Sequence, residues 1–250
     1  LAGSGELSIN DTDFNASTIW VGNGGVLYND GGAVTLARVD MRAGGMLNPY
    51  TLTKYVNFIP INPSQFISDW TNLLNHNPAT GGYGGAIFND GGSLHIIDGL
   101  FDANFALLGG GAIFHQSGTL TVENSAFHGN GAGIAGGALD INGGMATVTG
   151  STLGLAVEPT NAAENEADLA GFSNGALAFG GAIRNNGVLT LTDSTIMGNA
   201  LIEGLTGPIL TDLADWGGAG IYNAANGSLT LNHSAIAGNT TVFAGGAGIM

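Results

Sequence analysis

Gly180-Gly181-Ala182-Ile183-Arg184-Asn185, followed by Leu189-Thr190-Leu191-Thr192-Asp193-Ser194-Thr195-Ile196-Met197-Gly198-Asn199, is one block of a repeat. A fixed-period repeat decides architecture before any local argument does. The Gly-Gly pairs that open the blocks start at Gly24, Gly84, Gly110, Gly136, Gly180, Gly217 and Gly245, which gives spacings of 60, 26, 26, 44, 37 and 28 residues. The base unit is therefore 26 residues, and the excess is insertion. A half-block opens the chain, with Leu7, Ile9, Thr12 and Phe14 aligned on Leu189, Leu191, Ser194 and Ile196.

Apolar residues alternate inside each block. Leu94/Ile96, Leu120/Val122, Leu189/Leu191 and Leu229/Leu231 each straddle one residue. Period two means a strand with one buried face. A second short strand carries Ala86-Ile87, Ala112-Ile113 and Ala182-Ile183, and a third inward position is filled by Phe101, Phe127, Leu153, Ile196 and Ile236. Three short strands per turn, with Gly and Asn at the corners, predict an all-β parallel β-helix of about seven to eight coils. At the strand spacing of about 4.8 Å such a rod is roughly 35 Å long. Gly and Asn suit the corners because they tolerate φ > 0, which accounts for 45 glycines in 250 residues.

Equivalent corners align into rows. Asn29, Asn89, Asn185 and Asn223 form one, in which His115 takes an Asn position. Asn104, Asn130, Asn199 and Asn239 form a second, and Ser125, Ser151, Ser194 and Ser234 a third. Stacked amides can bond along such a row, and the serines are expected to do the same.

The repeat makes residues 1–250 a single solenoid domain with neighbour-to-neighbour contacts. Three insertions, at 44–80, 155–179 and 200–216, are expected at the junction after the Gly-Asn corner, on one flank of the rod. Loops on one face of a repeat protein are often its binding surface. In the first, Asn62 as N-cap and Pro63 at N1 open a short helix, with Phe66, Ile67, Trp70, Leu73 and Leu74 on one face. Trp20, Trp70 and Trp216 fall at these junctions and have two readings: a platform for a sugar or a protein partner, or anchors that pin the loops to the rod. Glu164, Glu166 and Asp168 are the carboxylates from which calcium would draw oxygens, although they match no EF-hand or nonapeptide pattern. No cofactor is otherwise expected.

Composition narrows the function classes. Four basic residues (Arg38, Arg42, Lys54, Arg184) against nineteen acidic ones give a net charge of −15. Nucleic acid and anionic membranes both attract Lys and Arg, so neither is an expected partner. The absence of Cys removes disulfides and thiolate metal sites. The five histidines (His76, His95, His115, His128, His233) show no paired ligand spacing. A β-helix polysaccharide lyase or hydrolase would need clustered charge on one strand face. Asp98 and Asp193 share a row position with Asn124, Gly150 and His233, which is no carboxylate pair, and Arg184 has no acidic neighbour in this reading. Partial Thr rows (Thr121, Thr147, Thr190, Thr230; Thr149, Thr192) present a flat hydroxyl array suited to ice. Ile97, Glu123 and Asn232 break the second of them.

The Gly-Gly-Ala-Ile blocks at 84–87, 110–113 and 180–183, with Phe101–Asn104 and Phe127–Asn130, resemble the repeats of chlamydial-type polymorphic outer membrane proteins. They are also similar to repeats of large bacterial surface and autotransporter passenger proteins. Later coils keep the shape without the Phe, as in Ile196-Met197-Gly198-Asn199 and Ile236-Ala237-Gly238-Asn239. The resemblance implies a right-handed β-helix on the bacterial outer surface, acting in adhesion or surface structure, and carries no catalytic residues. The reading is a non-enzymatic, extracellular adhesin or scaffold. Its partners are a surface glycan or protein, or further copies stacked on the last coil, since a chain stopping mid-coil predicts that coils continue past Met250 or that another subunit sits there.

Overall fold

The structure, a computed structural model, describes residues 1–15, 17, 22–44, 82–154, 174–176, 179–201, 217–241 and 246–250. Among these residues every regular element is a strand, and every strand pairing is parallel. The longest ladder joins seven segments in sequence order: Glu6–Asn15, Ala33–Arg42, Ile87–Ile97, Ile113–Glu123, Met145–Thr149, Val188–Thr192 and Ser228–Asn232. Parallel neighbours this close in sequence require the chain to travel once around between them. The large parallel sheet curls on itself in the manner of a solenoid, as the repeat predicts.

Register follows the apolar alternation. Leu7, Val34, Leu94, Leu120, Ala146, Leu189 and Leu229 stack in one row, and Ile9, Leu36, Ile96, Val122, Val148, Leu191 and Leu231 in the next. The opening half-block thus sits where its pattern placed it. Phe14, Met41, Phe101, Phe127, Leu153, Ile196 and Ile236 make a third row. Within it Phe101 and Phe127 stack nearly parallel with centroids 4.7 Å apart. Together with Ile87, Ile113, Leu139, Ile183 and Ile221, these rows close one continuous core whose middle members are fully buried. Each buried Leu, Ile or Phe contributes about 1.5–3 kcal/mol, so a slip by one residue would turn a whole row out to water.

Four findings differ from expectation. First, a coil has four strand segments. A small sheet of Phe105–Ala106, Gly131–Ala132, Gly175–Ala176 and Ala200–Leu201 follows the second Asn corner. Two-residue strands are too short to leave an alternation in the sequence. Second, the last two corner glycines are Gly218 and Gly246. Phe179 bridges to Gly217, so Gly180 aligns with Gly218. The motif there reads Gly218-Ala219-Gly220-Ile221, then Gly246-Ala247-Gly248-Ile249, with the second Gly and the Ala exchanged. The whole glycine row, from Gly24 to Gly246, has φ of 60–69°. A Cβ on Gly84 would lie 2.1 Å from the Ile87 carbonyl oxygen, so that position admits nothing larger.

Third, residues 174–176 belong to the rod, because Gly175–Ala176 pairs on both sides. The extra residues of the second insertion therefore leave between Gly154 and Asn174, before the Asn corner, whereas those of the first and third leave after it. Fourth, residues that point outward next to the inner isoleucines are covered. Phe88 and Phe114 are buried with Tyr83, Leu108, Ile134 and Ala135 in a second apolar layer, against which the half-buried Phe179 packs. The predicted helix from Asn62 lies outside the described residues.

Candidate functional site: side-chain ladders and a buried ion pair

The chemistry-bearing side chains are organised in rows along the stack. The second Asn row is continuous over five residues: Asn104, Asn130, Asn174, Asn199 and Asn239. Each amide nitrogen donates to the next amide oxygen at 2.9–3.0 Å. Each also donates to the carbonyl of the core residue one coil back: Met41, Phe101, Phe127, Leu153 and Ile196 in turn. The backbone N–H groups of Asn104, Asn130 and Asn199 donate into the same next oxygen. A buried amide is thus satisfied at both ends, as burial demands. Asn174 was hidden inside the expected insertion, yet Asn174-Gly175-Ala176 repeats Asn130-Gly131-Ala132.

The first Asn row is interrupted. Asn29 donates to Asn89 at 2.7 Å, and the Asn89 amide nitrogen meets His115 Nδ1 at 2.9 Å. The next position is Ile141, and the row resumes with Asn185 donating to Asn223 at 2.7 Å. His115 does take the Asn position. Burial pushes its imidazole down to about 4, partly offset by the carbonyls of Gly118 and Met145.

The serine row holds in place but works differently from expectation. No hydroxyl bonds the next hydroxyl. Each Ser Oγ accepts the backbone N–H of the preceding coil: Gly99 to Ser125, Ser125 to Ser151, Ser151 to Ser194 and Ser194 to Ser234. Each hydroxyl then donates to the carbonyl two residues before it. A hydroxyl is too short to span a strand spacing of about 4.8 Å, so the backbone serves as its partner.

Arg184 has the acidic neighbour the sequence reading did not give it. Asp140 stands in register one coil away, and Arg184 Nη1 donates to Asp140 Oδ1 at 2.7 Å. The sequence signal was equivalence of position, since Asp140 and Arg184 both follow the inner residue of their Gly-Gly-Ala block. The Asp140 side chain is 0% exposed and that of Arg184 is 13% exposed. Asp140 Oδ2 makes no hydrogen bond and lies where a Cβ on Gly109 would come within 2.1 Å. The Asp140 charge, first among the causes, holds the Arg184 guanidinium above its ordinary range. Burial, then the Asp140 charge, raises the Tyr83 phenol, against an opposing pull from Arg184. With Arg184 neutralised by a carboxylate and Tyr83 held neutral, the cluster offers neither a free base nor a nucleophile at neutral pH. It is a buried, paired charge in the outward aromatic row of Tyr28, Phe88, Phe114 and Tyr222.

Asp98 occupies a corner row with Asp11, Arg38, Asn124, Gly150, Asp193 and His233. All of these have left-handed backbone, with φ of 47–59°. Its flanking positions in the row are Arg38 and Asn124, so the carboxylate pair that hydrolysis needs is missing there. Among the described residues, no three His, Cys, Asp or Glu groups gather to hold a metal ion. No described helix is long and apolar enough to cross a membrane. The Thr rows are in register, Thr121–Thr147–Thr190–Thr230 and Thr149–Thr192, on the outward face of the main sheet beside the exposed Met145 and Val188. Trp20, Trp70, Trp216, Glu164, Glu166 and Asp168 lie outside the described residues. Comparison with protein-family models, with curated proteins and with solved structures gives no match.

Proposed function

We propose that this chain is a non-enzymatic, right-handed parallel β-helix of seven to eight coils on the outer surface of a bacterium, serving as an adhesin or structural scaffold. The observation that carries this reading is the fate of the polar side chains. Asn, Ser and the Asp140–Arg184 pair are consumed in holding one coil to the next. What remains on the outward strand face is largely uncharged and hydroxyl-rich. Rigidity and length are therefore the properties the sequence invests in, and contact falls to the insertions 44–80, 155–179 and 200–216 with Trp20, Trp70 and Trp216. The expected partner is a surface glycan or a protein, with end-to-end or lateral association of copies as a variant of the same role.

The test is binding of the labelled full chain to a glycan array and to host cells. In parallel, versions carry each insertion replaced by a short Gly-Ser link. Saturable binding that disappears with one insertion is expected. Release of cleaved products from acidic polysaccharides, lost in Asp98→Asn, would establish a lyase or hydrolase and sink the reading. Thermal hysteresis in freezing assays would instead assign the Thr rows to ice.

A further inference from the structure

The first Asn row has a direction. Asn29 Oδ1 accepts the Gly32 N–H at 3.1 Å, which fixes the orientation of that amide. Its nitrogen donates to Asn89 Oδ1, so the Asn89 nitrogen must face His115. His115 Nδ1 is then an acceptor, and the imidazole proton sits on Nε2. Nε2 is buried and makes no hydrogen bond of good geometry, with the Gly118 and Met145 carbonyls near the ring. A Cβ on Gly144 would come 2.9 Å from Nε2 and 2.6 Å from the Gly118 carbonyl oxygen, so the backbone of the next coil closes tightly on this edge of the ring.

We propose that His115 is an acid-sensitive break in the ladder: a proton taken from solvent onto Nδ1 sets two donors face to face at the Asn89 amide and opens the corner formed by Gly118 and Gly144. Relief by flipping Asn89 only moves the conflict. Its nitrogen would then face the Asn29 nitrogen, and Asn29 is held by Gly32. An asparagine at the same place has no such state, because its amide cannot take up a proton in this range.

The groups around the imidazole leave the outcome to the row. On the strand Ile87–Ile97, Asp90 follows Asn89 and accepts from Ser117 Oγ at 3.4 Å. On the strand Leu139–Ile141, Asp140 alternates with Ile141 and is bound on the opposite face by Arg184. On its own strand the nearest acid is Glu123, eight positions on and paired with His95. None of these charges contributes to the shift of His115, whose main cause is burial.

Because the folded value, about 4, lies below the ordinary 6.5, the unfolded chain binds the proton first. Stability is full above about pH 6.5 and declines as pH falls toward 4. From the two values, the folding equilibrium constant drops on the order of 100-fold across that window. The test is urea unfolding of the full chain and of His115→Asn between pH 7 and pH 4. Carboxylates titrate in the same range, so the readout is the difference between the two proteins. The variant is expected to lose far less, with a gap approaching 100-fold at pH 4. Identical pH dependence would overturn the proposal. If the variant does not fold, nitrogen-15 shifts of His115 in the wild-type chain decide the matter. A neutral Nε2–H tautomer persisting at pH 5.5 is expected, and an Nδ1–H tautomer or an imidazolium at that pH would overturn it.

Discussion

The Asn104–Asn239 row is one chain of amides, while the Asn29–Asn223 row is two short chains separated by His115 and Ile141. Both follow the same stack of coils, so the difference is local chemistry. Amides of both rows also bond backbone, but in the continuous row the acceptor is the carbonyl of a core residue one coil back, which any other residue would strand. In the interrupted row the stack tolerates an imidazole and then an aliphatic side chain. Where Ile141 leaves no amide to meet Asn185, the adjacent outward position of the same two coils supplies Asp140–Arg184. Between these two coils the polar contact thus moves from one face of the strand to the other.

The sharpest way to break this comparison is Arg184→Leu. It leaves Asp140 buried without its partner and is expected to cost about 3–5 kcal/mol in chemical unfolding, most of it recovered in the Asp140→Leu/Arg184→Leu double variant. If the single variant is near neutral, the ion pair does not replace the missing amide. Next comes Asn130→Ala in the continuous row. It strands the Phe101 carbonyl and the Asn104 N–H together, and a loss of about 3 kcal/mol is expected. A loss as small as that of an exposed Asn would mean that water fills the ladder. Ser151→Ala removes the acceptor for the Ser125 N–H and one donor to the Thr149 carbonyl, which keeps the Asn124 N–H, and a shift of about 1 kcal/mol in the unfolding free energy is anticipated. The smallest effect belongs to Asp11→Asn. Its ion pair with Arg38 lies in solvent on both sides, and no measurable change in the unfolding midpoint is expected.

The sequence carried the fold in its long rows. Alternation at Leu94/Ile96 and Leu120/Val122, and the alignment of Leu7, Ile9, Thr12 and Phe14, set strands, faces and register without further help. What it hid were features with no period of their own. The Gly175–Ala176 strand is two residues long and follows an insertion, so neither alternation nor spacing announces it. The shift from Gly217 to Gly218 depends on which glycine needs positive φ, and a run of glycines cannot tell. The outer aromatic layer was unread because alternation predicts that a residue beside a core position faces water. It does not foresee Leu108 and Ile134 folding over Phe88 and Phe114. In the candidate site, the ladders were legible as rows of like residues. The Asp140–Arg184 pair was legible only as unlike residues at one position.

The left-handed corner that holds Asp11, Arg38, Asp98, Asn124, Gly150, Asp193 and His233 has a consequence for how such a chain can change over generations. The backbone bends the same way in every coil, whichever side chain is there. Strain of roughly 1–2 kcal/mol per non-glycine residue is already absorbed by the stack. Acid, base, amide and bare glycine are therefore interchangeable at that corner while the interior stays untouched. Selection can rewrite the outer character of the rod one coil at a time, at a fixed pitch, as type is reset along a line.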